Sequence, residues 1–259
     1  MALDVAAPPV PDRDDDGKNL TILEHLQELR YRLMICAGAL VIAMVLSFYP
    51  LTGWVLEWMK APGEAKVENF QLVFTDPLEY VTTYFRVSLL LGVAMAMPVF
   101  LWQLIAFVGP GLTRNEKRWA YPLVLGASVM FVLGILFAYY VELPPALNFL
   151  LNFGGGIADP FISVKKYVDF VTRLMFVTGL VFEMPFVVMG LAKLGIVQSR
   201  QLLRWWRFAL VGAFVLSAIV TPSIDPITQS LVAAPMIVLY FVGIALAKLV
   251  EKTPIIPRY

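Results

Sequence analysis

Long apolar runs separated by short polar breaks dominate this chain. Stretches free of Asp, Glu, Lys and Arg cover 33–56, 87–113, 119–141, 208–224 and 226–247, and a sixth, 174–192, is broken only by Glu183. A helix needs about 20 largely apolar residues to cross about 30 Å of hydrocarbon. The runs are continuous, whereas the strands of a membrane barrel alternate. The pattern therefore predicts an all-α integral membrane protein with six transmembrane helices. The run 208–224 has 17 residues and contains Pro222 near its end, so the fifth span is short. The sixth, opening near Asp225 and interrupted by Pro235, is expected to be short too.

Composition supports the same class. The 259 residues are 59% hydrophobic and 15% charged, with a mean hydropathy of +0.77. Soluble domains carry about 25% charged residues. A net charge of +1 gives no basis for attracting nucleic acid. The single Cys36 excludes an internal disulfide framework, and the single His25 excludes multi-histidine metal chemistry. No metal or cofactor is expected. Six spans put both termini on one side. With the termini cytoplasmic, fourteen of the 20 Lys and Arg residues lie on that side, as the positive-inside rule requires. The N-terminus lacks the apolar core of a signal peptide and is Asp-rich, unlike a transit peptide. Those features favour a prokaryotic cytoplasmic membrane.

Residues 1–19 read as a disordered acidic cytoplasmic tail, 20–250 as the membrane domain and 251–259 as a C-terminal cytoplasmic tail. Thr21 and Glu24 form a capping-box signal, and Ile22, Leu26, Leu29 and Leu33 share a face. They predict a short amphipathic helix running into the first span. In the first outer loop, Trp54-Val55-Leu56 is expected to lie on the membrane surface. In the second, 144–151 reads as helix, with Gly154-Gly155-Gly156 as its break.

Several polar residues are costly where they stand. Glu183 sits at the middle of its span, two positions before Pro185, which frees the carbonyl of Val181. It is either functional or a packing device bonded to a neighbouring helix. Asp225 before Pro226 is an ordinary helix start, and it also opens a polar patch with Thr228 and Gln229 that a partner helix would satisfy. Glu28 is placed to pair with Arg32 at i,i+4, and Glu116 belongs to a capping box with Thr113. Together these two acids lie on the cytoplasmic side. Walker A, H-E-x-x-H and G-x-S-x-G motifs are absent, so no enzyme is expected.

Four motifs in order resemble the TatC family, the multi-spanning subunit of the twin-arginine protein translocase. They are His25-Leu26-x-Glu28-Leu29-Arg30-x-Arg32; Gln103-x-x-Ala106-Phe107-x-x-Pro110-x-Leu112-x-x-x-Glu116; Phe182-Glu183-x-Pro185; and Thr221-Pro222-Ser223-x-Asp225-Pro226-x-Thr228-Gln229. The resemblance implies a receptor and translocation core that binds twin-arginine signal peptides. With single-span partners of the TatA and TatB type it would export folded proteins on the proton gradient. It implies signal-peptide binding by Glu28 and Glu116 amid Arg30, Arg32 and Phe107. Glu183 becomes the groove acid, and Thr221, Asp225 and Gln229 become the partner-docking site. Self-association and contact with the bilayer are expected; nucleic acid is not. The rival reading is a proton-coupled small-solute transporter with Glu183 as the proton carrier, against which stand the lack of repeats and the small number of spans.

Overall fold

The computed structural model describes residues 22–65, 72–108, 114–152, 162–221 and 225–251. The expected tail 1–19, the glycine break at 154–156 and residues 252–259 lie outside them. The elements are α1 (Ile22–Phe48), α2 (Thr52–Glu64), β1 (Leu72–Val73), α3 (Glu79–Val108), α4 (Arg114–Phe137), α5 (Leu143–Asn152), β2 (Ile162–Ser163), α6 (Val164–Lys193), α7 (Ser199–Arg204), α8 (Trp206–Val220) and α9 (Pro226–Val250). A π-helical stretch, Ala138–Glu142, joins α4 to α5. Apart from one parallel pairing of two residues, β1 on β2, the described chain is helix and connecting turn.

Five helical stretches are long and apolar enough to cross a membrane: Glu24–Phe48, Glu79–Phe107, Tyr121–Leu151, Val164–Lys193 and Pro226–Val250. The apolar α8 has 15 residues, about 22 Å at 1.5 Å per residue, less than a bilayer core. A short sixth span is not what the fold shows. α9 runs unbroken for 25 residues through Pro235. Proline removes one donor, but apolar surroundings leave the backbone no better alternative than continued helix.

α6 is the central helix, packed on α3, α4, α8 and α9, while α1 packs chiefly on α3. Small residues set these spacings. A Cβ on Gly134 would lie 2.8 Å from the Cα of Gly179, so α4 and α6 meet backbone to backbone. α1 and α3 are tied by polar bonds in an apolar setting: Ser88 Oγ donates to the Met44 carbonyl at 3.1 Å, and Ser47 Oγ to the Ser88 carbonyl at 3.3 Å.

One expectation about the outer loops is corrected. Trp54 is exposed, but Val55, Leu56 and Met59 are buried in the main core. A 13-residue helix puts one face inward, and α2 packs that face on the protein, with Trp58 stacked on Tyr139 at 3.6 Å. The 144–151 helix is present as α5, continuous with α4 through the π turn.

At the N-terminal ends of α3 and α6, Glu79 is 2% exposed. Its carboxylate accepts from Thr75 N at 2.6 Å, Lys165 N at 2.7 Å and Thr75 Oγ1 at 2.9 Å, and also from the Ser163 hydroxyl. Further along the same two helices, Arg86 is ion-paired with Asp169.

Candidate functional site

Three polar groupings lie on this scaffold. The first is at the start of α1 and the end of α3. Residues 25, 28 and 32 fall on one helical stripe, as do 103 and 107, and the packing of α1 on α3 brings the stripes together. Arg32 Nε donates to Glu28 Oε1 at 3.1 Å, and its Nη1 donates to Gln103 Oε1 at 3.1 Å. Nη2 also bonds Glu28 Oε1. Beside them the His25 ring stacks on Phe107 with centroids 4.5 Å apart. Both bonds from Arg32 to Glu28 fall on one oxygen, so Glu28 Oε2 remains an acceptor in a half-buried setting. Guanidinium groups bind carboxylates in a planar, bidentate manner that an ammonium cannot copy.

Of the residues assigned to peptide recognition, the fold therefore unites Glu28, Arg32 and Phe107. Arg30 is exposed, on another face of α1. Glu116 lies in the first turn of α4, and its side chain is outside the described residues. Gln103 belonged to a motif, but its bond to Arg32 was not foreseen.

The second grouping is intramembrane. Glu183 is 6% exposed, and its Oε1 has no hydrogen-bond partner among the described residues. A second buried acid, Glu142, is 2% exposed; Thr178 Oγ1 donates to its Oε2 at 2.8 Å, and its Oε1 has no partner either. The sequence pattern hides Glu142 because it stands directly after the uncharged run 119–141. The apolar helical pattern resuming at Leu143 was the signal that the helix continues past it. π turns frequently mark functional positions, and Glu142 is the last residue of this one.

The third grouping is the α8–α9 hairpin. Asp225 caps α9, accepting from Thr228 N at 2.7 Å and from the Thr228 hydroxyl. Thr221 is buried at the end of α8, its Oγ1 donating to the Ser217 carbonyl at 3.0 Å. Gln229 Nε2 donates to the Phe214 carbonyl at 2.9 Å, bridging the two helices. Arg173 reaches across from α6, with Nη1 3.4 Å from the Ile219 carbonyl. Among the described residues no cluster of three or more His, Cys, Asp or Glu side chains is arranged to hold a metal.

Comparison with known proteins places the chain in a family. Residues 24–235 match the family described as Sec-independent protein translocase protein (TatC). The chain is 41% identical over 246 residues to the protein of that name from Synechocystis, covering 95% of each. It is 40% identical to the chloroplastic protein of Arabidopsis thaliana, covering 92% of this chain and 69% of the relative. The Aquifex aeolicus protein is 39% identical and covered over 97% of its length. A crystal structure titled Twin Arginine Translocase Receptor, TatC, superimposes with a TM-score of 0.78 at 40% identity, covering 88% of this chain and 99% of that one.

Proposed function

This chain belongs to the TatC family of Sec-independent protein translocase proteins, and on that premise we propose that it is the signal-peptide receptor of its translocase. It is a multi-pass membrane protein and a translocase component, not an enzyme. In our reading the chain crosses the prokaryotic cytoplasmic membrane six times with both termini inside. The spans are α1, α3, α4 with α5, α6, the short α8, and α9.

The observation that carries the proposal is the cluster of Glu28, Arg32 and Gln103 beside stacked His25 and Phe107. Here a carboxylate is already held against one guanidinium and keeps a free oxygen for another. The two arginines of a signal peptide dock here and at Glu116, with the apolar rim of Phe107 against the peptide. Arg30 and Arg32 border the surface. TatA- and TatB-type single-span partners dock at Thr221, Asp225 and Gln229, where α8 is too short to fill the bilayer. Glu183 offers them or the arriving peptide a hydrogen-bonding group in the hydrocarbon. The proton gradient drives transport of folded cargo, and copies of the chain self-associate. Membership of a translocase family leaves the solute-transporter reading without support.

The test is retention of a twin-arginine signal peptide by the purified chain, compared with its Lys-Lys variant. The proposal expects selective capture of the Arg-Arg peptide. Equal capture of both peptides refutes guanidinium recognition.

A further inference from the structure

The elbow between α7 and α8 has no part in the reading above. Residues 203–208, Leu-Arg-Trp-Trp-Arg-Phe, are exposed one after another. A helix lying on its own protein buries one face; here six consecutive residues are exposed, more than one helical face. The elbow is nevertheless anchored. Ser199 Oγ donates to Glu251 Oε2 at 2.5 Å, and Tyr240 Oη donates to the Leu202 carbonyl at 2.6 Å. These bonds fix the inner side of α7 on α9 and leave its other side bare.

The bare side has a definite chemistry. Arg200, Arg204 and Arg207 recur four and three residues apart and all are exposed. None forms an ion pair with an acid among the described residues, and the neighbouring Glu251 is taken by Ser199. Between and beside them stand Trp205 at 61%, Trp206 at 41% and Phe208 at 76% exposure. The apolar strip continues without a break onto the outer face of α8, through exposed Val211, Val215 and Ile219. Indole rings favour the level where hydrocarbon meets headgroups, and arginine stems reach from there toward phosphate. A guanidinium also forks onto phosphate oxygens as it does onto a carboxylate.

We propose that this elbow is a binding site for anionic phospholipid headgroups. The three guanidiniums take the lipid phosphates, and Trp205, Trp206 and Phe208 lie in the boundary layer beneath them. Charge complementarity and continuity with the exposed apolar strip of α8 single out lipid as the occupant. The site concerns this end of α8 whichever aqueous side it faces, so it stands apart from the peptide-receptor reading.

The experiment is lipid retention by the full chain in neutral detergent, read by native mass spectrometry. Phosphatidylglycerol and phosphatidylcholine are the probes. The wild type should retain phosphatidylglycerol in preference. Near an anionic surface each basic residue contributes about 1 kcal/mol, so Arg204→Gln should lower that preference about fivefold. The triple variant R200Q/R204Q/R207Q should lower it tenfold or more. Lys165→Gln with Lys166→Gln, equally exposed at the far end of α6, should leave it unchanged. Arg204→Gln alone tests the site even if the triple variant fails to fold. Undiminished preference in the arginine variants overturns the proposal, as does an equal loss in the lysine variant. Displacement of the lipid by inorganic phosphate at matched concentration overturns it as well, since the site then takes a free anion.

Discussion

Replacing Glu28 by glutamine keeps the size of the side chain and removes its charge. The structure sets the scale of two separate effects. The pair with Arg32 is an i,i+4 contact with side chains 20% and 24% exposed, so its loss costs about 0.3–0.5 kcal/mol of stability. That is too little to unfold the chain, and Arg32 keeps its bond to Gln103. Binding is another matter. A hydrogen bond to a charged group contributes about 1.5–3 kcal/mol, which is roughly tenfold to a hundredfold in affinity. The assay is fluorescence anisotropy of a labelled Arg-Arg signal peptide titrated with the solubilised chain, beside the Lys-Lys peptide and a thermal unfolding curve. Glu28→Gln should weaken the Arg-Arg peptide by at least tenfold, shrink its advantage over Lys-Lys and hardly shift unfolding. Binding within twofold of wild type would refute the role assigned to this carboxylate.

Gln229→Leu removes the bridge to the Phe214 carbonyl, a bond of about 1 kcal/mol in membrane proteins. It should loosen the hairpin and reduce co-purification of a single-span partner; unchanged recovery of that partner would reject the docking assignment. Glu183→Gln keeps a group that donates and accepts, so transport in inverted vesicles should persist. Glu183→Ala should impair it, and complete loss with Gln at normal expression would point instead to a proton relay. Gly134→Ala puts a methyl 2.8 Å from the Gly179 Cα and from the Phe182 Cβ, and overpacking of this kind costs about 1–3 kcal/mol. Thermal unfolding should show that loss for Gly134→Ala and none for Gly38→Ala, where nothing lies within 4 Å.

Hydropathy made four of the five long spans and the undersized α8 legible, because solvation by lipid acts on each run separately. Local pairing was legible too: the Glu28–Arg32 contact follows from helical period alone, and so does Asp225 as the cap of α9. Contacts that depend on how two helices lie against one another were not. Gln103 meets Arg32, and Gln229 meets Phe214, only through an interhelical register that no single run records. Glu142 was missed for a different reason. A count of uncharged residues treats an acid as an edge, whereas a buried acid bonded to Thr178 leaves the helix uninterrupted. Pro235 misled in the same direction, since in lipid a break in the helix would orphan more backbone groups than the one donor that proline removes. The surface placement of Trp54-Val55-Leu56 failed because three apolar residues do not reveal which neighbour will cover them.

The carboxylate of Glu79 fastens the first turn of α3 to the first turn of α6, and the two-residue strand pairing lies just ahead of both. That knot acts as a surveyor's datum. From Ser163, Glu183 is 20 residues on, about 30 Å of helix; from Glu79, Gln103 is 24 residues on, about 36 Å. The positions of the buried acid and of the Glu28–Arg32–Gln103 cluster are thus both reckoned from one benchmark at the other end of these helices. One residue added to α6 before Glu183 would displace its carboxyl by about 1.5 Å and swing it about 100° around the axis. Length along these two helices is therefore as much a part of the site as the identity of its side chains.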